Sequence, residues 1–209
     1  MNPSLPPMDT AQLVAVAAAL GWASGLRLYA VLFLTGLAGW LGWVSLPHGL
    51  HLLQSPLLIG ASGFMLFVEF FADKIPGLDT LWDAVHTLVR IPAGAALAAA
   101  VFGFDEQSWT LAAALMGGTL AATSHVAKAT TRAAVNTSPE PFSNIALSLA
   151  GDAAVPAMLW LSWAQPWTFF AVLAVAVVAM LAVTWMLAKF LRAMVRRFAG
   201  RGRASVSTG

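Results

Sequence analysis

Asp79, Asp83, His86 and Arg90 follow one another at steps of four, three and four residues. At 100° per residue their side chains fall within an arc of about 60° on one helix face. Two carboxylates and an imidazole so placed could surround a divalent cation, which makes Asp79, Asp83 and His86 a candidate metal set. A plainer reading leaves the stripe in water or lipid headgroups, with Arg90 pairing to Asp83 or His86 along the same face. Leu81, Ala84, Val85, Leu88 and Val89 take the other side. A second stripe of opposite sign lies further on: His125, Lys128, Arg132 and Asn136, at steps of three, four and four. The two stripes admit three readings. They pair and clasp two helices, they line an inward vestibule, or Lys128 and Arg132 hold an anionic substrate or a lipid phosphate. A clasp predicts that exchanging signs, as in Asp83→Lys with Lys128→Asp, restores folding.

These groups belong to a very apolar chain. Its 209 residues are 59% hydrophobic and 10% charged, with a mean hydropathy of +0.79. A soluble domain carries about 25% charged residues, so the solvent implied here is a lipid bilayer. Within the apolar runs stand Arg27, Glu69 and Asp152. A charge at mid-membrane costs at least about 2.5–3.5 kcal/mol, and intramembrane acids commonly mark ion or proton routes. Glu69 and Asp152 are therefore candidate ion- or proton-coupling carboxylates. Arg27 is their counter-charge or an anion anchor, or else it locks two helices by pairing with one acid. Asp73 adds to the polar face at the cytoplasmic side. The chain has no cysteine, which excludes disulfides and thiolate chemistry. No P-loop, His-Glu-x-x-His, nucleophile-elbow or dinucleotide motif is present.

The elements that carry these residues are all helical. Six apolar runs have about the 20 residues a span requires: roughly 10–34, 56–72, 78–104 with a bend at Pro92, 109–135, 141–163 and 167–190. Between the first two, Trp40, Trp43, Pro47, His48 and His51 read as an interfacial stretch. The N-terminal decapeptide lacks Lys and Arg, so the first run reads as a retained helix rather than a secretory signal. Six spans put both termini on one side. Lys74, Arg90, Lys128 and Arg132 then fall on the cytoplasmic side with the basic tail (Lys189, Arg192, Arg196, Arg197, Arg201, Arg203), and Asp105 and Glu106 fall outside. That tail suits an anionic leaflet, not nucleic acid. A shorter span hidden between Ala11 and Leu46 would make seven and put the N-terminus outside. The organisation expected is a tail (1–9), one all-α transmembrane bundle (10–190) and a basic cytoplasmic tail (191–209). Two inverted three-helix halves are one arrangement of six spans. "ASGLRLY" loosely echoes "AKATTRAAV", and "FADKIP" loosely echoes "AGDAAVP". Pro139 and Pro141 around Glu140 end one helix and open the next. Small residues at 60–63, 92–100 and 116–118 predict close helix packing.

"ASGLRLY", "FVEFFADKIPGLDTLWDAVHTLVRIPAGA" and "HVAKATTRAAVNTSPEPFSNIALSLAGD" together resemble the bacterial multi-pass membrane family called domain of unknown function 4126. The resemblance covers about residues 10–165. It implies a small helical inner-membrane protein and brings no activity. From the residues, the expectation is a small transporter or channel-like permease of the bacterial inner membrane for a solute or ion, with the bilayer as partner and a homodimer as a plausible assembly. No cofactor is required by this reading. The rivals are an intramembrane metal-dependent enzyme acting on lipid, and a non-transporting assembly protein in which every charge is a structural pair.

Overall fold

The computed structural model describes residues 8–75, 77–103, 107–137 and 142–206; Asp105, Glu106 and Glu140 lie outside them, as do the side chains of Arg197, Arg201 and Arg203. Six long helices account for most of the chain: α1 (Thr10–Trp40), α2 (Pro56–Ala72), α3 (Leu78–Phe102), α4 (Gln107–Val135), α5 (Phe142–Ala164) and α6 (Pro166–Val206). A 3₁₀ segment, His48–Gln54, precedes α2 and meets it at a 70° bend. No strand occurs among the described residues. Four helices (α1, α3, α5, α6) are long and apolar enough to cross a bilayer, five if the bent pair counts as one span. The polar second half of α4 keeps it out of that set. The basic segment after residue 190 continues α6 as helix to Val206 rather than leaving as an irregular tail. Its Ala, Arg, Met and Phe residues oppose neither helix nor continuation until Gly200 and Gly202.

The first helix is not one rod. Arg27 has φ −149° and ψ 83°, an extended conformation that interrupts the helix. Gln12 and Ala38 line one cavity together, yet in a straight helix they would stand about 39 Å apart at 1.5 Å per residue. Met8 and Leu13 likewise meet Ser45, Leu46 and Pro47. The helix therefore folds back at Arg27 into two arms, 10–26 and 28–40. Locally, Ser24 spends its hydroxyl on the Leu20 carbonyl and Gly25 follows, both of which weaken the helix just before the break. The first arm runs through the middle of the bundle: Ala15 to Leu20 are completely buried or nearly so.

Contacts give each rod a direction. Gly21 meets Gly94 and Gly117, and Tyr29 meets His86, so the arms begin and end as a hairpin against α3 and α4. Gly36 and Gly63 place the second arm antiparallel to α2. One end of the bundle thus gathers the α1 break, the end of α2 with the start of α3, and the end of α4 with the start of α5. The other end holds the start of α1, the 3₁₀ segment and the α5–α6 turn, where Gln12 donates to the Trp163 carbonyl. Every Lys and Arg from Arg27 to Arg196 lies toward the first, charged end. Trp40, Trp43, Trp109, Trp160 and Trp167 lie exposed toward the second. Six full spans predict termini on the same side. The fold-back at Arg27 instead puts the start of α1 opposite the end to which α6 leads, because one apolar run makes two passes. The echoed segments around Arg27 and Arg132 both lie at the charged end, whereas an inverted repeat would place them at opposite ends.

Small residues bring the central rods into backbone contact. A Cβ on Gly21 would sit 2.5 Å from Gly117 Cα, and one on Gly117 would sit 2.3 Å from Ala98 Cβ. On Gly60 it would meet nothing within 4 Å. Gly21→Val is therefore expected to destabilise the bundle by about 3 kcal/mol or more through overpacking against backbone, while Gly60→Ala is neutral or slightly stabilising. Denaturant unfolding in one detergent, followed by far-UV circular dichroism, checks both; equal stability of the two variants would contradict the crossing.

Candidate functional site

The stripe on α3 points inward. Asp79, Asp83, His86 and Arg90 are buried, while Leu88 on the opposite face is 83% exposed. A polar face resting in water or headgroups is thus replaced by the reverse arrangement: charge inside, hydrocarbon outside. The α4 stripe faces it rung for rung, as antiparallel helices allow. Thr87 meets His125 Nε2 at 2.7 Å. Asp83 lies 3.1 Å from Lys128 and 3.6 Å from Arg132. Asp79 lies 3.4 Å from Arg132 and accepts from Asn136 at 3.1 Å. Along α3 itself, Arg90 Nη1 donates to Asp83 at 2.7 Å.

Other helices join this ladder at both ends. Arg90 Nη2 reaches Glu69 on α2 at 2.5 Å, both side chains being fully buried. Asp73, just past the end of α2, takes three cations on one oxygen: Arg27, Lys128 and Arg132, each at 3.1 Å. Arg27 then turns its Nε to Asp152 on α5 at 3.0 Å, and its Nη2 donates to the Ser148 hydroxyl at 2.9 Å. Lys74 closes the chain on Asp152 at 3.3 Å. The cluster contains five bases (Arg27, Lys74, Arg90, Lys128, Arg132) and five acids (Glu69, Asp73, Asp79, Asp83, Asp152), joined without a gap. It is neutral as a whole.

The break in α1 sits inside this cluster. Interrupting the helix frees the Leu26 carbonyl, and Lys128 Nζ donates to it at 3.0 Å. The first arm presents its negative C-terminal pole here, and the second arm starts with its positive N-terminal pole. Arg27 is 2% exposed, and its Nη1 has no hydrogen-bond partner. Asp152 is the most open of the five acids, at 22%.

His86 stands apart from the acids. Its ring stacks on Trp82, its Nδ1 meets the Trp82 carbonyl at 2.8 Å and its Nε2 meets the Tyr29 hydroxyl at 3.1 Å. Asp79 and Asp83 turn to cations instead. Among the described residues, no group of three His, Asp or Glu side chains is arranged to hold a metal ion.

Two cavities border the α1–α5 contact. The inner one, of about 300 Å³, has Arg27, Asp73, Lys128 and Arg132 at its polar floor and Trp22, Ala154 and Met180 among its walls. The outer one, of about 650 Å³, lies between the arms of α1 and the upper part of α5, with Thr35, Pro156, Leu159 and Trp163 on its surface. Thr35 Oγ1 and Trp163 Nε1 are buried there without partners. Asp152, Pro156, Leu159 and Trp163 follow a four-, three-, four-residue rhythm, so the Asp152 face continues into the outer cavity. Thr35, Tyr29 and Ser148 are site residues that sequence reasoning missed; each is a polar side chain in an apolar run, the same signal that singled out Arg27.

The family described as "Domain of unknown function (DUF4126)" matches residues 14–186. The chain belongs to that family. No curated protein and no solved structure matches it.

The shared geometry makes sign exchange a poor repair. A lysine at position 83 would face Arg90 and Arg132 as well as the new acid at 128, so Asp83→Lys with Lys128→Asp is not expected to recover stability. Asp73→Asn leaves three buried cations short of one acid and is expected to cost about 3–5 kcal/mol. Asp152→Asn, at a partly open position, is expected to cost roughly 1–2 kcal/mol. Unfolding midpoints of the purified variants rank these effects; Asp152→Asn costing as much as Asp73→Asn would contradict the assigned roles.

Proposed function

For a member of this family we propose a small permease of the bacterial inner membrane, with Arg27 at its gate and Glu69 and Asp152 as its proton-coupling carboxylates. The observation that carries the reading is the position of the Arg27–Asp152 pair: it stands at a helix break, with Arg27 in the floor of the inner cavity and Asp152 on the α5 face that continues into the outer one. Broken helices whose freed backbone groups line a cavity are a recurrent way to build a transport site. The charged end, carrying Lys189, Arg192 and Arg196 on α6, is taken as cytoplasmic by the positive-inside bias, and the start of α1 as external.

Neutrality gives the proposed site a coupling rule. An anion added to a cluster of five acids and five bases leaves an unpaired buried charge, which is costly. Protonating one carboxylate as the anion enters removes that charge. Asp152 is the acid best placed for it, because it is the most open and holds Arg27 and Lys74 at once. Its protonation removes one of the two acids that hold Arg27 in the floor of the inner cavity and weakens the ion pairing of α5 to α1. Glu69, deeper and with Oε2 unpartnered, is the second carboxylate that can take a proton. The reading is therefore a proton–anion symporter, with the inner cavity as the anion site.

The full pairing of the cluster supports a second reading, a purely structural clasp in a non-transporting assembly protein. The two readings differ in water access. The chain has no cysteine, so Thr35→Cys, Ala154→Cys and Asp152→Cys can each be labelled alone in oriented membrane vesicles. The permease predicts that position 35 reacts with an impermeant thiol reagent from the tryptophan end, 154 from the charged end, and 152 from both. A position 152 that stays unlabelled from either side, in a protein that remains folded, leaves the clasp as the function of the cluster.

A further inference from the structure

The inner cavity has a feature that a site for a small soluble anion does not need. Its floor is cationic, with Arg27, Lys128 and Arg132 against the single carboxylate of Asp73, although the cluster as a whole is neutral. One guanidinium nitrogen, Arg27 Nη1, is buried there without a hydrogen-bond partner. Above that floor the walls are hydrocarbon: Trp22, Leu26, Ala154, Met180 and Val183. On the lipid side the wall is incomplete. The first two turns of α5 bury only Asn144 and Ser148, both polar and both turned toward the charged cluster. On α6, Phe169 and Leu173 are buried near the α5–α6 turn, and no described α6 side chain beyond Leu173 is. The two helices therefore diverge toward the charged end and leave a slot between them that faces the bilayer.

We propose that this cavity binds the anionic headgroup of a membrane amphiphile, with its chain leaving through the slot between α5 and α6. Guanidinium and ammonium groups pair strongly with phosphate or carboxylate oxygens, and arginine does so in a two-pronged fashion. The hydrocarbon walls suit the first part of an acyl chain, which a soluble anion lacks. About 300 Å³ is at the small end for a ligand pocket, so the headgroup and the nearest methylenes fill it and the rest of the chain stays in lipid. This narrows the anion of the proposed symporter to a lipid-borne one; it rests on that reading for its transport role but not for binding.

Trp22 lies in the cavity wall and serves as the reporter. Full-length protein is reconstituted in phosphatidylcholine vesicles containing either phosphatidic acid or phosphatidylcholine with brominated acyl chains. The quenching of Trp22 is taken as the difference between the protein and its Trp22→Phe variant. The expected result is a preference for phosphatidic acid on the order of tenfold, the size that one or two excess basic groups confer near anionic lipid. Ala154→Leu fills the wall without touching a charge and is expected to abolish the preference while far-UV circular dichroism and gel filtration stay unchanged. Equal quenching by both lipids overturns the proposal, as does a preference that survives Ala154→Leu. Loss of the preference when inorganic phosphate is added identifies a soluble oxyanion as the ligand and overturns the amphiphile. A clear preference in a protein whose Asp152→Cys stays unlabelled keeps the lipid site and removes the permease.

Discussion

A charge in hydrocarbon needs a partner, and this bundle is arranged around meeting that need for ten charges at once. An isolated ion in a low-dielectric interior costs several kcal/mol even after relaxation. The neutral cluster of five acids and five bases meets the requirement by sharing: Asp73 serves three cations, Asp83 serves three, and Arg27 serves two acids on different helices. Removing Arg90, Arg132 or Asp152 strands Glu69, Asp79 or Lys74 respectively, and removing any other member leaves the charges unbalanced. That mutual dependence ties α1 through α5 to one another at the charged end, and it explains why the α1 break, which would otherwise expose backbone carbonyls to lipid, is tolerated. Lys128 meets the Leu26 carbonyl there, and Arg27 is held from two sides.

At the tryptophan end the cohesion has a different source. Lipid is as apolar as a leucine side chain, so burying apolar groups adds little drive between spans, and close van der Waals contact must take over. Gly21, Gly94 and Gly117 let the first arm of α1, α3 and α4 approach backbone to backbone, with Ala98 and Ala121 filling the remaining space. The alanine-rich first arm is thin enough to be enclosed by its neighbours. From Ala15 onward every residue of it is buried, while α6 remains largely exposed to what would be lipid.

Much of this was legible in the sequence. Apolar length alone located α2 at 56–72 and the remaining helix ends within a few residues, apart from the far ends of α1 and α6, and the four-three-four rhythm located the inward faces of α3 and α4. Two things were not legible. The hairpin at Arg27 lies in an apolar run without proline; Ser24 and Gly25 only weaken the helix, and the break persists because Asp73 past α2 and Ser148 and Asp152 on α5 hold Arg27, while Lys128 on α4 takes the freed Leu26 carbonyl. Those partners are remote in sequence, so no local pattern announces them. The pairing scheme was hidden for the same reason. Spacing identifies which residues share a face, but whether Asp83 faces one base or three depends on how far α3 slides along α4, which the glycine contacts decide. The same packing separates His86 from the acids beside it in sequence and gives it to Tyr29 and Trp82.

Of the helices that hold the cluster, α5 carries a proline beside its charged residue. Pro156 lies within it and has no N–H to give to the carbonyl four residues earlier, which belongs to Asp152. The residue that joins α5 to Arg27 and Lys74 through its side chain is thus also the one whose backbone bond the helix lacks. Before this turn, α5 buries only Asn144 and Ser148, both engaged in polar contacts, and beyond it Val155, Met158 and Leu159 pack into the apolar core. One half of the helix is anchored by packing, which is indifferent to protons. The other half is anchored by charges and hydrogen bonds, which are not. A change in the charge of Asp152 therefore acts where α5 bends most easily and on the half with no apolar anchor. Asp73, at the opposite flank of Arg27, holds its three cations by itself, so the ion pairs that join α1 to α4 through it do not depend on Asp152.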